Sequence, residues 1–137
     1  MQYEVLHQLA QVPSHLNNTY RQIQALQELN KLTQLTWALP PLRGWAASPD
    51  FLLLIAEHAK QKQPNVILGA STVVLAQSVK LVGQGRVLSL EHDPVYAQKT
   101  RDELKKQGLQ DYATVLNAPL KKYTLNEKQY LWYDFGT

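Results

Sequence analysis

The sequence predicts an α/β domain in which parallel strands alternate with helices, and two apolar runs carry this prediction. The first run, residues 66–68, ends at Gly69, and a helical stretch follows over residues 73–81. The second run, residues 87–90, ends at Glu91. Strand, glycine turn, helix and strand in this order form a βαβ unit, because two parallel strands need a crossover connection between them.

The turn after the first strand and the acid after the second predict a ligand-binding edge. Ligands of such units bind beyond the carboxyl ends of the strands. The turn at Gly69 offers backbone N–H groups at a helix start, and Glu91 offers two acceptor oxygens to a pair of ribose hydroxyls. These residues are 22 positions apart, close to the roughly 20 expected for a ribose-binding acid. The alternative is an ordinary strand-to-helix turn beside a solvated glutamate, since the full G-x-G-x-x-G pattern is missing.

Length and composition indicate one domain without a nucleic-acid or membrane signature. The chain has 137 residues, 45% of them apolar, and a net charge of +3 from scattered Lys and Arg. It contains no cysteine, which excludes disulfides and cysteine-bound metal, and we expect no metal site. We also expect no membrane span, because no apolar run approaches the roughly 20 residues of a spanning helix. We expect no signal peptide, because residues 1–5 lack a basic region and no long apolar core follows them, and the cytoplasm is then the default location.

The N-terminal region predicts a helical arm over residues 1–37, ahead of a main domain over residues 38–137. Pro13 interrupts a poorly patterned start, and Ser14 would cap a helix running to about residue 36. The best common face contains Val12, Leu16, Tyr20, Ile23 and Leu26. Two interpretations stay open at this point: a helix packed on its own domain, or an arm through which the chain forms a homodimer.

A loop and a second helix are expected next. Residues 38–47 contain two prolines and a glycine, so they predict a connector, in which Arg43 and Trp45 are the kinds of side chain that line a ligand mouth. Ser48, Pro49 and Asp50 then form a strong helix start, with the helix continuing to about residue 62. Phe51, Leu54, Ile55, His58 and Ala59 are expected to share one face of this helix, with His58 at the surface or at the boundary of the core and not as a ligand.

The second half of the chain repeats the helix–strand order. Asp93 and Pro94 predict a helix start and Gly108 its end, after which residues 112–116 predict a third strand. Residues 117–120 leave this strand at the same edge as Gly69 and Glu91, which strengthens the nucleotide-binding interpretation. The aromatic tail over residues 125–137 is either a strand or a loop that covers the site.

These residues resemble the class I S-adenosylmethionine-dependent methyltransferases, in particular a small family with the motifs PLRGWAASPD and SLEHDP. The likeness covers about residues 38–135 and is most specific over residues 89–100. The matching segments are Pro41 to Asp50, Gly69 to Thr72, Ser89 to Pro94, Tyr96, Lys99-Thr100, Ala118 to Leu120, and Trp132 to Asp134. The resemblance implies a Rossmann-like sheet with helices on both faces and S-adenosyl-L-methionine as the cofactor.

The resemblance also implies roles for individual residues. The loop Gly69, Ala70, Ser71 and Thr72 would lie near the methionine moiety, and Glu91 would bind the ribose. His92 and Asp93 would flank the adenosine, and Asn117 and Ala118 would line the adenine pocket. Arg43 and Trp45 would border the substrate side. The implied activity is methyl transfer to a small-molecule or glycan-type acceptor; the sequence indicates no catalytic base.

The chain departs from the family pattern at two places. Leu68 runs directly into Gly69, where relatives carry an acid and further glycines, and the chain stops before a fourth strand would begin. We expect that residues are missing at both places and that the sheet is incomplete. Two rival functions therefore stay open: a dinucleotide-binding oxidoreductase that uses Glu91 in the same way, and a non-catalytic or degenerate nucleotide-binding or interaction module.

Overall fold

A computed structural model of the chain describes residues 2–36, 39, 47–68 and 71–134, which form a mixed α/β structure. Four helices and five strands are present in these ranges. In chain order they are α1 (Gln2–Thr33), α2 (Pro49–Lys62), β1 (Val66–Leu68), α3 (Thr72–Val82), β2 (Arg86–Glu91), α4 (Pro94–Lys106), β3 (Ala113–Asn117), β4 (Leu120–Leu125) and β5 (Lys128–Tyr133).

The first three strands form a parallel sheet in the order β1-β2-β3, which confirms the predicted βαβ unit. Ile67 pairs with Val87 across the first two strands, and Val87 pairs with Ala113 across the second and third. Helices α3 and α4 make the two crossovers, and each of these three strands and two helices begins and ends within one or two residues of its expected bounds. Gly108 follows α4 with φ +69°, the left-handed conformation expected of a glycine at a helix end.

Both crossover helices pack on one face of this sheet. Val87 and Val115 are buried on that face against Leu75 and Val79 of α3 and Leu104 of α4. We expected helices on both faces; within the described ranges, no helix covers the second face. The physical reason is that two crossovers of the same hand, progressing in one direction along a sheet, place their helices on the same side.

The uncovered sheet face is partly apolar. It carries the alternate residues of β2 and β3, among them the half-buried Leu88 and Leu90 and the exposed Leu116. Arg86 spans the same face and donates to the Thr114 hydroxyl oxygen from Nε (3.2 Å) and Nη2 (3.0 Å). These hydrogen bonds hold β2 to β3 on the sheet face that no helix of the described ranges covers.

Helices α1 and α2 form a second layer outside α3. Leu29 of α1, which is fully buried, packs with Leu52 and Ala56 of α2 and Val74 of α3. The buried Gln77 side chain on α3 donates to the carbonyl oxygen of Thr33. This bond satisfies one of the carbonyls that the end of α1 leaves without an intrahelical partner.

Helix α1 starts much earlier than predicted. The expected start near residue 15 is wrong, because the helix begins at Gln2 and continues through Pro13. Proline lacks the N–H that would donate to the carbonyl four residues earlier, but good helix formers such as Leu9 and Leu16 stand on both sides of it. The expected common face is also largely exposed, whereas Ala25, Leu29 and Thr33 are the buried residues of this helix.

Helix α2 is rotated relative to the expected orientation. Its bounds agree with the prediction, but Phe51 and Leu54 are 52% and 54% exposed, while Leu52, Ala56 and Ala59 are buried. The rotation follows from the position of α2 between α1 and α3, which requires small side chains at Ala56 and Ala59. Neighbouring helices, rather than the helix's own periodicity, therefore select the buried face.

The tail forms an antiparallel hairpin of β4 and β5, which decides between the two open interpretations in favour of strands. Leu120 pairs with Tyr133 at its base, and Leu125 pairs with Lys128 beside the turn. Asn126 and Glu127 form the turn with φ +49° and +62°, as a two-residue hairpin connection of the I′ kind requires. Residues 135–137 lie outside the described residues.

Asp50 links α2 to α1 and is expected to titrate at low pH. The Ser48 hydroxyl, which donates to Asp50 Oδ1, and a side-chain hydrogen bond with Gln22 hold the pKa of Asp50 below its usual 3.8. A carboxyl with a lowered folded-state pKa stabilises the fold above pH 3.8, and this stabilisation is lost as the pH falls through the folded-state pKa. An NMR titration of the Asp50 carboxyl carbon should therefore give a midpoint below 3.8.

The matched variant is Ser48→Ala, which removes the largest cause of the shift and should move the Asp50 midpoint upward. An unchanged Asp50 midpoint in Ser48→Ala would contradict the assignment.

Candidate functional site

The carboxyl ends of the three parallel strands lie along one edge of the sheet. Glu91 at the end of β2 pairs in register with Asn117 at the end of β3. The backbone N–H of Ala118 donates to the carbonyl oxygen of Glu91 over 2.8 Å, so the chain that leaves β3 stays attached to the end of β2. The structure thus brings Glu91, Asn117 and Ala118 together, as the sequence predicted.

One oxygen of the Glu91 carboxylate is held by the segment that follows it. Oε1 accepts the Asp93 backbone N–H over 3.1 Å and lies 3.2 Å from His92 Nδ1. Within the described ranges, Oε2 has no hydrogen-bond partner, and the Glu91 side chain is 29% exposed. The carboxylate is therefore fixed through one oxygen and presents acceptor capacity on the other.

Asp93 has a structural role at the start of α4. Its Oδ1 accepts the backbone N–H groups of Val95 (2.8 Å) and Tyr96 (3.4 Å), and Pro94 takes the first helical position. This is the capping arrangement that the sequence predicted. Because the cap uses Oδ1, Asp93 contributes to the site mainly by orienting the chain between Glu91 and the helix.

Asn117 and Ala118 present different groups at this edge. Ala118 is only 1% exposed, and its N–H is engaged by Glu91. The Asn117 side chain is exposed, so its amide is the group at this position that a ligand can reach. An amide offers both a donor and an acceptor, which is the combination that the edge of a nucleobase pairs with.

The start of α3 is attached to β2 by a buried hydrogen bond. The Thr72 hydroxyl donates to Ser89 Oγ over 2.7 Å, and both residues are at least 95% buried. Ser71 precedes the helix as its half-buried N-cap residue. Two sequence-predicted loop residues, Gly69 and Ala70, and the predicted substrate-side residues Arg43 and Trp45 lie outside the described residues, as does the junction between Leu68 and Gly69.

Tyr133 is a neighbour of the site to which sequence reasoning assigned no role. Its ring centroid lies 6.5 Å from that of His92 and 5.9 Å from that of Trp132. The backbone N–H of Asp134 donates to the Pro119 carbonyl oxygen, which fixes the base of the hairpin beside the end of β3. The cluster of aromatic residues in the tail was the available signal, but nothing in the sequence placed it next to His92.

The acidic and histidine side chains of the site do not form a metal centre. Across residues 2–36, 47–68 and 71–134, no three His, Asp or Glu side chains are grouped closely enough to hold a metal ion.

Over the same part of the chain, none of the helices combines the length and the apolar character needed to cross a bilayer.

Comparisons with known proteins give no relative from which a function could be transferred. No protein-family model, curated protein or solved structure matches this chain. Functional interpretation therefore depends on the motif residues and on the geometry of the sheet edge.

Proposed function

We propose that this chain is an S-adenosyl-L-methionine-dependent methyltransferase with a Rossmann-like core, which acts on a small-molecule or glycan-type acceptor by in-line methyl transfer. The observation that carries the proposal is the pairing of Glu91 with Asn117 at the carboxyl ends of two parallel strands. An acid after the second strand of a βαβ unit is positioned to accept hydrogen bonds from a ribose. The likeness of residues 89–100 to the methyltransferase motif supports this assignment.

The chemistry of the donor and acceptor groups fits the adenosine part of the cofactor. Glu91 Oε2 would accept a ribose hydroxyl, and the exposed Asn117 amide would pair with the adenine edge. The His92 and Tyr133 rings, 6.5 Å apart, offer flat surfaces beside these groups. Ser71 and Thr72 stand at the start of α3, where backbone N–H groups favour a carboxylate such as that of the methionine moiety.

Methyl transfer from this cofactor requires little covalent chemistry from the protein. When bound, the cofactor supplies an activated methyl group on a sulfonium. The protein then has to align the acceptor with that group and exclude water. The His92 ring is able to accept a proton, but its Nδ1 lies 3.2 Å from Glu91 Oε1. We therefore assign His92 to shaping the cofactor site and name no catalytic base.

The acceptor is proposed to be a small molecule rather than a nucleic acid. Lysines of the hairpin are dispersed among exposed side chains, and Lys121 is already paired with Asp134 at 3.8 Å. The cytoplasm is the compartment proposed for this activity. A second copy of the chain is the proposed macromolecular partner, through the N-terminal helix.

Glu91→Ala is expected to weaken binding of S-adenosylhomocysteine by about 10- to 100-fold, because hydrogen bonds to a charged group contribute about 1.5–3 kcal/mol each. Calorimetric titration of the purified protein measures this change directly. Glu57→Ala is the matched control, since Glu57 is an exposed glutamate on α2, away from the sheet edge. Thermal unfolding of both variants confirms that each is folded before titration.

Three outcomes of the titration bear on the proposal. Binding to the native chain that is weakened by about 10- to 100-fold in Glu91→Ala and retained in Glu57→Ala supports the assignment. Binding of NAD in preference to S-adenosylhomocysteine would favour an oxidoreductase and contradict it. No binding of either nucleotide by folded protein would also contradict it.

The second candidate function is a non-catalytic or degenerate nucleotide-binding or interaction module. The observation that favours it is the N-terminal half of α1, whose residues 2–20 are all exposed. An exposed helix of this kind is suited to self-association, whereas methyl transfer by itself does not require it. Retained self-association in a chain that binds no nucleotide would favour this candidate.

A further inference from the structure

The exposed half of α1 carries an apolar pattern with the period of a coiled coil. Its positions alternate spacings of four and three residues, which is the repeat that brings side chains to one seam of a helix. We name this set the α1 seam; it consists of Val5, Leu9, Val12, Leu16, Thr19 and Ile23. Thr19 is its only polar member, and its hydroxyl donates to the His15 carbonyl within the helix over 2.9 Å.

The α1 seam is not covered by the rest of the chain that the structure describes. Its five apolar side chains are between 44% and 60% exposed. Six residues beyond Ile23 on the same helix, Leu29 is fully buried against α2 and α3. The end of α1 therefore belongs to the core of the molecule, whereas its first half extends the helix beyond that core.

A covering partner would stabilise this part of the helix. Most helical stability in proteins comes from packing of an apolar face, and residues 2–20 are all exposed. Pro13 weakens the segment further, since it removes one helical hydrogen bond. A second helix packed on the α1 seam would supply the packing that the described fold does not give to these residues.

The charges beside the α1 seam are compatible with a second copy of the same helix. Gln8, His15 and Gln22 flank one side of the seam, and Leu6, Pro13 and Tyr20 flank the other. Glu4 is the only carboxylate, and no Lys or Arg occurs, among residues 2–20. Two copies would meet without like-charge repulsion at the flanking positions, whereas a highly charged partner would find no complementary groups there.

We infer that the α1 seam is a self-association surface, on which the α1 seam of a second copy of this chain packs. Leu9 and Leu16 stand at one repeating position, and Val5 and Val12 at the other. This is the reverse of the arrangement that favours a parallel two-stranded coil. An assembly of more than two copies is therefore favoured over a parallel pair. The inference does not depend on methyl transfer, because none of these residues lies near the sheet edge.

Light scattering during gel filtration of the full chain tests the inference over a range of protein concentrations. We expect a mass of two or more times 15.6 kDa for the native chain. Leu9→Glu combined with Leu16→Glu should reduce the mass to that of one chain. Gln11→Glu combined with Asn18→Glu is the matched control, since it adds two charges with the same spacing on another face, and it should leave the assembly intact.

A charge-swap experiment distinguishes loss of the surface from loss of the helix. Leu9→Lys combined with Leu16→Lys should also give single chains, but an equimolar mixture with the Glu variant should associate, because opposite charges then meet across the two copies. A native chain that stays monomeric at every concentration would overturn the inference. An assembly that survives in the Glu variant, or a mixture that stays monomeric, would overturn it equally.

Discussion

Gly85→Ala is expected to lower the free energy of unfolding by about 3 kcal/mol, measured by denaturant titration. A Cβ at this position would lie against the Pro64 carbonyl oxygen, far inside van der Waals contact, and 3.4 Å from the Asn65 carbonyl oxygen. Both obstacles are backbone atoms, which cannot move aside as a flexible side chain can. The φ of +96° adds a conformational cost for any residue with a side chain.

The position of Gly85 explains why the effect should be large. The next residue, Arg86, donates its N–H to the Asn65 carbonyl oxygen over 2.9 Å, where β2 begins beside β1. A shift that relieved the contact with Pro64 would separate these two strands at their first pair, Val66 with Arg86. The substitution therefore forces either a strained turn or a loss of strand pairing.

Gly83→Ala is the matched control for the steric part of this effect. Its φ of +82° is similar, but nothing lies within 4 Å of a Cβ built there. It should cost only about 1–2 kcal/mol, which is the cost of the left-handed conformation itself. Equal losses of stability for the two variants would show that the contact with Pro64 is unimportant.

Leu29→Ala is expected to lower the free energy of unfolding by about 3 kcal/mol or more, because burial is lost and a cavity is left behind. Leu29 is fully buried where α1, α2 and α3 meet. Its surroundings include Leu52 and Val74, which are held on two different helices and cannot both close the gap. Denaturant titration at constant protein concentration measures the loss.

The matched control is Leu54→Ala on α2, which removes the same atoms from a side chain that is 54% exposed. We expect a change within about 0.5 kcal/mol for this variant. If Leu29→Ala were equally mild, α1 would contribute little to the core, and its final turns would be better described as a separate arm.

The parallel sheet could be predicted from the sequence because its signals are local. Apolar runs, Gly108 and the Asp93–Pro94 pair each define an element boundary within a few residues. Helix orientation could not be predicted in this way. Phe51 and Leu54 looked like core residues by periodicity, but the buried face of α2 is selected by α1 and α3, which approach from directions that no local pattern records.

The candidate site also contains features that local sequence signals predict and features that depend on contacts between elements. Glu91 and Asn117 could be placed together from the sequence, because the carboxyl ends of parallel strands share one edge. The bond between the Glu91 carboxylate and the Asp93 N–H, and the approach of Tyr133 to His92, depend on the path of the chain between elements. The early start of α1 could not be predicted from local signals, because Pro13 lies inside this helix and a proline usually ends or kinks one.

The difference between the two sheets has a consequence for the order in which the chain folds. The hairpin joins nearby residues, such as Leu125 with Lys128, and hairpins of this kind form in about 1–10 μs. The parallel sheet joins Val66 with Arg86 and Val87 with Ala113, so each pairing waits for a loop of twenty or more residues to close. Glu91 and Asn117 become neighbours only in this slower step. The sheet edge that contains Glu91 and Asn117 is therefore among the last parts of the molecule to assemble, and a ligand that bound there would select chains whose folding is complete.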